Sequence, residues 1–329
     1  MKIGITYDLQ SDYLKEGFTK EEAAEFDKED TIDAIENTLK EIGFETIRIG
    51  NVKELTRRLA HGDTWDLVFN ICEGMYGVGR EAQVPALLDA WKIPYVFSGP
   101  LTLALTLDKA TTKRVIRDAG VPTAPFFVVE KNEDVDKVNI QYPLFAKPVA
   151  EGTGKGIYAG SVINNIEQLR ERCNLLLSKF NQPVLVEKYL SGREFTVGIV
   201  GSGVNAKVVG AMEIILNNKA EQGVYSFHNK DNYLELVDYH LATGKIAEEC
   251  EKVALDSWRV LNCIDGGRVD VRYDDNNICN FIEVNPLAGM HPVHSDLPIL
   301  SRLNGINYNQ LFQMIMNSAI ERLKSEGKI

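Results

Sequence analysis

The sequence predicts an α/β and α+β protein: an N-terminal parallel α/β domain, then domains that mix helices with antiparallel strands. Three observations lead to this class. Over residues 1–100 strand-like and helix-like patterns alternate, as in a doubly wound parallel sheet with helices on both faces. Further on, short alternating segments read as hairpins, the clearest being residues 268–273 and 279–285 around Asp274-Asp275-Asn276-Asn277. A chain of 329 residues, 44% of them hydrophobic, also exceeds the usual size of one core, so two or three domains are expected.

The elements follow in order. Residues 2–7 open as a strand, and Ile32, Ile35, Leu39 and Ile42 recur on one helical face. Residues 45–49 form a second strand, Val52, Leu55 and Leu59 mark a helix, and residues 65–71 form a third strand. Val84, Leu87, Leu88 and Trp91 mark the next helix, and residues 93–97 close the unit. Asp108 starts a helix that Gly120 and Pro122 stop. An apolar strand interrupted by Lys147 leads into the loop Glu151-Gly152-Thr153-Gly154-Lys155-Gly156 and a second strand. After an amphipathic stretch, 164–180, one strand ends on Glu187 and Lys188, Glu194 opens another, and a third covers 207–216. Ile246, Cys250, Val253, Ala254 and Leu261 mark a helix before the hairpin. Tyr308, Leu311, Phe312, Ile315, Met316, Ala319, Ile320 and Leu323 form the core stripe of the last one.

Composition narrows the function. A net charge of -11 argues against general nucleic-acid binding, which needs basic surface to neutralise phosphates. No run of 18 apolar residues appears, and the chain opens on a strand pattern instead of a leader, so no membrane partner and a cytoplasmic location are expected. The five cysteines are scattered without metal spacing and read as reduced, mostly buried thiols.

The residues that carry chemistry lie mostly beyond residue 100. Three glycines at alternate positions of the 151–156 loop let backbone N–H groups approach an anion, while Lys147 offers a fixed positive charge. The loop is not a Walker A motif, because Val149 and Gly156 stand where that pattern needs Gly and Ser or Thr. Alternatively it is an ordinary hairpin with a solvated lysine. Lys109 and Lys113 share a helix face, a pair that is usually solvated, although Lys109 sits in the first turn, where a phosphate finds free amides. Residues 217–233 are too long and polar for a tight turn and read as a lid carrying Lys230. In the hairpin, a tight turn at Asn276-Asn277 would set Val269 opposite Val284, Val271 opposite Ile282, Arg268 opposite Asn285 and Asp270 opposite Glu283. Paired carboxylates repel and need a cation or a proton. A Mg²⁺ ion between Asp270 and Glu283 is the natural candidate, since such oxygen ligands suit it, and a solvated hairpin face is the alternative. GVGREA at residues 77–82 matches a dinucleotide fingerprint, but it does not follow its strand immediately and lacks the later acidic residue.

Lys109, Lys147, the glycine loop, the EKYLSGREFT segment and the RVD and EVN strands, in this order, resemble the ATP-grasp superfamily, in its D-alanine:D-alanine ligase branch. The resemblance runs from about Asp66 to the C-terminus. It implies a two-domain ATP-grasp module, with a central subdomain at 101–185 and a C-terminal domain at 186–329, behind the N-terminal domain of 1–100. It further implies that Lys109 and Lys147 contact the phosphates of ATP, and that Glu151, Gly152 and Thr153 belong to the flap. Glu187, Lys188 and Leu190 would line the adenine site, and Glu194 would bind ribose. Asp270, Glu283 and Asn285 match the Mg²⁺ ligands, with Mn²⁺ as a substitute. Arg268, Lys230, Gly289 and Ser295 match the catalytic set that holds the second substrate and the transition state. The partners implied are a small-molecule carboxylate and a small-molecule amine, with room for a homodimer.

The pattern also departs from the branch. After the first strand stands YDLQSDYLKEGF, with only Asp8 nearby, in place of a glycine- and serine-rich segment with a glutamate. Asp231 replaces a tyrosine after Lys230, and His294-Ser295 falls one residue late. The sequence is therefore read as an ADP-forming carboxylate–amine ligase with a rebuilt substrate pocket. A non-catalytic ATP-binding regulatory protein of the same fold is the alternative, and a dinucleotide-dependent oxidoreductase built on GVGREA is a third. A hydrolase using His294 and Ser295 lacks the nucleophile elbow.

Overall fold

The structure, a computed structural model, describes residues 1–221 and 223–329. Its first part contains β1 (Lys2–Tyr7), α1 (Gln10–Lys15), α2 (Glu29–Glu41), β2 (Glu45–Gly50), α3 (Val52–Ala60), β3 (Leu67–Ile71), α4 (Gln83–Ala90) and β4 (Tyr95–Val96). The four strands form a parallel sheet in the order β2-β1-β3-β4. Ile32, Ile35 and Leu39 of α2 pack on one face with Ile3, Ile5 and Phe69; Leu55, Leu59 and Leu88 cover the other with Val68 and Trp65. Trp91, expected on the core face of α4, lies just past the end of the helix and is 49% exposed.

Two helices, α5 (Pro100–Leu107) and α6 (Lys109–Asp118), lead into the second sheet. The Asp108 carboxylate caps α6 by accepting from the Thr111 N–H at 2.7 Å, which satisfies one of the free donors of the first turn. The sheet contains β5 (Phe126–Val129), β6 (Leu144–Pro148), β7 (Val162–Ile163) and β8 (Val184–Lys188), antiparallel in the order β5-β8-β6-β7. Between β7 and β8 runs α7 (Ile166–Phe180), whose Leu169, Cys173 and Leu176 pack on Leu144, Ala146, Val184 and Val186. Side chains alternate along a strand, so Phe145, Lys147 and Glu187 face the other way.

The third sheet is built from β9 (Glu194–Val200), β10 (Lys207–Leu216), β11 (Val237–Leu241), β12 (Gly266–Tyr273) and β13 (Cys279–Asn285), antiparallel in the order β11-β10-β9-β12-β13. Before β11 come the short helices α8 (Phe227–Asp231) and α9 (Tyr233–Leu236), and after it α10 (Gly244–Val260). Trp258, Ala254 and Cys250 of α10 bury Val269, Val271 and Phe281, which turns Arg268, Asp270 and Arg272 to the opposite face. The chain ends with α11 (Asp296–Leu303) and α12 (Tyr308–Ser325).

Helix α12 returns to the first sheet. Phe312 stacks on Phe69 with ring centroids 5.4 Å apart, and Ile315 and Met316 join the same core. Asp265, fully buried, fastens this junction: it accepts from the Phe97 N–H at 2.9 Å and from two guanidinium nitrogens of Arg322 at 2.7 and 3.1 Å. Burial pushes the Asp265 carboxyl up, and Arg322 opposes that. Removing one partner leaves the other charge buried and unpaired. Asp265→Ala should therefore lower the unfolding free energy by about 3–5 kcal/mol, read as a lower urea midpoint at unchanged slope.

Candidate active site

The hairpin β12–β13 places the first pair of acidic side chains. Its turn is one residue off the expected one. The Asn277 N–H donates to the Asp274 carbonyl at 3.2 Å, so Asp275 and Asn276 are the central residues and Asn277 follows in the left-handed region at φ 57°. The strands then pair Tyr273 with Cys279 and Val271 with Phe281, not with Ile282 as expected. A bulge at Ile282 restores the register, leaving Asp270 opposite Glu283, Val269 opposite Val284 and Arg268 opposite Asn285. The bulge also lets the consecutive residues Ile282 and Glu283 line the same cavity.

Cations of the chain itself balance these carboxylates. The Arg268 guanidinium binds Asp270 and stands 3.6 Å from Asp296, and the Thr196 hydroxyl donates to Asp270 at 2.8 Å. Lys109 lies 3.5 Å from Glu283. Burial alone would raise the Glu283 carboxyl, but Lys109, Lys147, Lys230 and Arg268 outweigh it and hold the group well below the usual carboxylate range. Asp270 moves the other way, pushed up by burial and by Glu283 against the pull of Arg268.

A second charge cluster joins α6 to the second sheet. Glu187 lies between Lys113 at 2.8 Å and Lys147 at 3.1 Å, and all three side chains are buried. The alternative of a solvated Lys109/Lys113 pair does not hold, because α6 is wedged between both sheets and turns this face inward. Lys109 reaches the third sheet and Lys113 the second, where its ammonium also donates to the Thr123 hydroxyl at 2.7 Å.

Between the sheets is a narrow cavity of ≈ 80 Å³, lined by Lys147, Glu187, Lys188, Leu190, Glu194, Lys230, Asp270 and Glu283 among others. Sequence reasoning missed two neighbours of these residues. Arg272 pairs with Glu194 at 3.1 Å, lies over the Tyr189 ring at 5.1 Å and donates to the Gly223 carbonyl at 3.2 Å; Tyr189 donates to the same carbonyl at 2.8 Å. The signal was available for Arg272, which continues the period-two face of Arg268 and Asp270. The expected lid folds into α8, α9 and connecting turns, and Lys230 rests 4.6 Å above the Tyr225 ring. The side chain of Asp231 lies outside the described residues.

The glycine loop is docked on the N-terminal part. Lys109 donates to the Glu151 carbonyl at 2.6 Å, and the Gly152 N–H donates to Glu25 at 2.5 Å. Glu25 also pairs with Arg80 at 3.0 Å and Lys155 at 3.3 Å. A Cβ on Gly152 would stand 2.5 Å from the Glu25 carboxylate, so this close approach requires glycine. Arg80 of the GVGREA stretch is thus a buried strut, which also reaches the Ala150 carbonyl at 3.0 Å.

Asp8 is not alone near the first strand. It accepts from the Tyr13 hydroxyl at 2.5 Å and the Gly74 N–H at 2.8 Å, and Asp27, Glu73 and Glu81 lie within its electrostatic neighbourhood or that of Glu25. Burial pushes Asp27 and Glu81 up to about 7. On the opposite side, the Ser295 hydroxyl accepts from the His291 N–H at 2.9 Å, and a Cβ on Gly289 would come within 2.9 Å of that oxygen.

The family model described as D-ala D-ala ligase C-terminus matches residues 115–317. The D-alanine–D-alanine ligase of Bordetella avium is 31% identical over 283 residues, covering 84% of both chains. The chain belongs to the D-alanine–D-alanine ligase family. The D-alanine–D-alanine ligase of Bacillus anthracis complexed with ATP shares this ATP-grasp fold at a TM-score of 0.73 and 22% identity, covering 99% of both chains. The VanG D-Ala:D-Ser ligase of Enterococcus faecalis does so at 0.73 and 19%, covering 97% of this chain and 99% of its own. No helix among the described residues is long and apolar enough to cross a membrane.

The raised carboxyls give a test by pH. Asp27 binds its proton more tightly folded than unfolded, so its contribution to stability is complete below about pH 4 and is lost as pH rises through about 7. Relative to the parent protein, Asp27→Asn should gain urea stability between pH 5 and pH 8. Parallel midpoint-versus-pH curves for the two proteins would show that Asp27 titrates normally.

Proposed function

We propose that this ATP-grasp ligase joins a small-molecule carboxylate to a small-molecule amine, forming ADP and phosphate through an acyl phosphate. The observation that carries the reading is the Asp270/Glu283 pair in a buried field of Lys109, Lys147, Lys230 and Arg268. Phosphoryl transfer needs positioning and charge stabilisation more than covalent help, and this arrangement supplies both. Domain boundaries near residues 100 and 185, a cytoplasmic location and a homodimer belong to the same reading.

The donor set suits Mg²⁺ or Mn²⁺. Two facing carboxylates and one amide are hard oxygen donors, and the Asn285 amide nitrogen is buried without a hydrogen-bond partner, which leaves its side chain uncommitted. Mg²⁺ commonly takes one or two carboxylates and completes its shell with phosphate oxygens and water. Asp270, Glu283 and Asn285 would hold the ion, which offsets phosphate charge when bound.

The remaining residues act directly. Lys109 and Lys147 bind phosphates, and Glu151, Gly152 and Thr153 close the flap over them. Glu187 orients Lys147 at the adenine end beside Lys188 and Leu190, and Glu194 takes ribose hydroxyls. Arg268, Lys230, Gly289 and Ser295 hold the acceptor and the charge that develops on the acyl carbon. The segment after the first strand with Asp8, Asp231 after Lys230, and the shifted His294-Ser295 depart from the branch pattern, and the D-Ala:D-Ser ligase among the fold's neighbours illustrates a changed acceptor on this scaffold.

Purified protein with ATP and Mg²⁺ should release phosphate only when a carboxylate and an amine from an amino-acid panel are both present. Asp270→Asn combined with Glu283→Gln should lower kcat/KM by at least about 100-fold while nucleotide binding persists. Unchanged turnover would refute the metal assignment. ATP binding without phosphate release across the panel would favour the regulatory alternative.

A further inference from the structure

On the side of the third sheet away from the cavity, Cys250 of α10 and Cys279 at the start of β13 bring their sulfurs to 4.0 Å. The Cys250 thiol points toward the Tyr273 hydroxyl at 3.9 Å, and Tyr273 donates to the Glu249 carboxylate at 2.8 Å. Glu249 and Cys279 both line an open groove of ≈ 710 Å³. Two sulfurs, a tyrosine and a partly exposed carboxylate thus form a continuous path from a buried thiol to solvent.

The other three cysteines are unlike this pair. Burial pushes the thiols of Cys72 and Cys263 far up, and that of Cys173 to about 12, so they are poor nucleophiles. Within the pair the two shifts are opposite: Cys250 moves down, because its side-chain hydrogen bonds with Cys279 and Tyr273 outweigh its burial, while Cys279 moves far up, because its proton is held against Cys250.

We propose that Cys250 and Cys279 form an oxidation site at which a small hydroperoxide entering the groove joins the two thiols as a disulfide, stapling α10 to β13. One thiol proton leaves through Tyr273 to Glu249. The Cys279 proton then passes along its contact to the Cys250 thiolate, the groove-facing Cys279 sulfur attacks the outer peroxide oxygen, the O–O bond breaks, and the departing alkoxide or hydroxide takes the proton held on Glu249. Cys279 is then a sulfenic acid. Cys250 attacks its sulfur, the S–O bond breaks, and hydroxide leaves with the remaining thiol proton as water. Two thiols are oxidised by two electrons, and one peroxide becomes one alcohol, or water, plus one water. The sulfurs must close from 4.0 Å to about 2.05 Å. Glu283 and Asn285 lie on the same strand, so the staple fixes the strand that carries them.

The test treats the full-length native protein with a tenfold excess of hydrogen peroxide. Intact mass should fall by about 2 Da and recover with dithiothreitol, and a non-reducing peptide map should join the Cys250 and Cys279 peptides. Alkylation after denaturation should then count three free thiols instead of five, and Tm should rise by several degrees, since the cross-link restricts the unfolded chain. Cys279→Ser should abolish the mass loss. If that variant does not fold, the peptide map and thiol count of the parent protein decide alone. A gain of about 16 or 32 Da at separate cysteines, a different cysteine pair, or five free thiols after treatment would overturn the proposal.

Discussion

Charge taken out of water must be balanced inside the fold, and the placement of α6 meets that demand at two points. From one helix face Lys113 reaches Glu187 on the second sheet and Lys109 reaches Glu283 on the third. A buried carboxylate without its lysine costs several kcal/mol, so the two sheets are held in a relation where both pairs close together. The polar contacts beside them follow the same line: Lys113 donates to Thr123, whose hydroxyl donates to the Phe281 carbonyl at 3.0 Å. The cavity between the sheets is therefore a consequence of charge pairing as much as of packing, and every group an anion would meet there is already oriented.

The glycine loop extends this logic toward the N-terminal sheet. Glu25 receives Arg80, Lys155 and the Gly152 amide, while Lys109 holds the loop from below through the Glu151 carbonyl. Lys109 thus touches both the loop and Glu283, which couples the flap to the carboxylate pair through one side chain. A phosphate arriving at Lys109 would compete with both contacts, so ligand entry and loop position are linked by a shared cation.

The two faces of the third sheet divide the labour. Toward α10 lie Val269, Val271, Phe281 and the Cys250/Cys279 pair; toward the cavity lie Arg268, Asp270, Arg272, Ile282 and Glu283. Period-two alternation separates them, and the single extra residue at Ile282 corrects the register after a turn that begins one residue early. Without that bulge Glu283 would fall out of step with Asp270.

Much of this was legible in the sequence. The alternation of apolar residues located most strands and the long helices, but not β5, β11, α1, α5, α8, α9 or α11; Asp108 marked the start of α6, and the ordered set Lys109, Lys147, RVD and EVN identified the ATP-grasp family, because local periodicity and motif order are properties of the chain itself. The tertiary structure alone decided which partner each charge has. Glu25 meets Gly152 across 127 positions, Asp265 meets Arg322 across 57, and Lys113, unremarkable on a helix, becomes a buried counter-ion. Such pairings depend on how separate elements pack, and no local pattern encodes the distance between residues that only folding brings together.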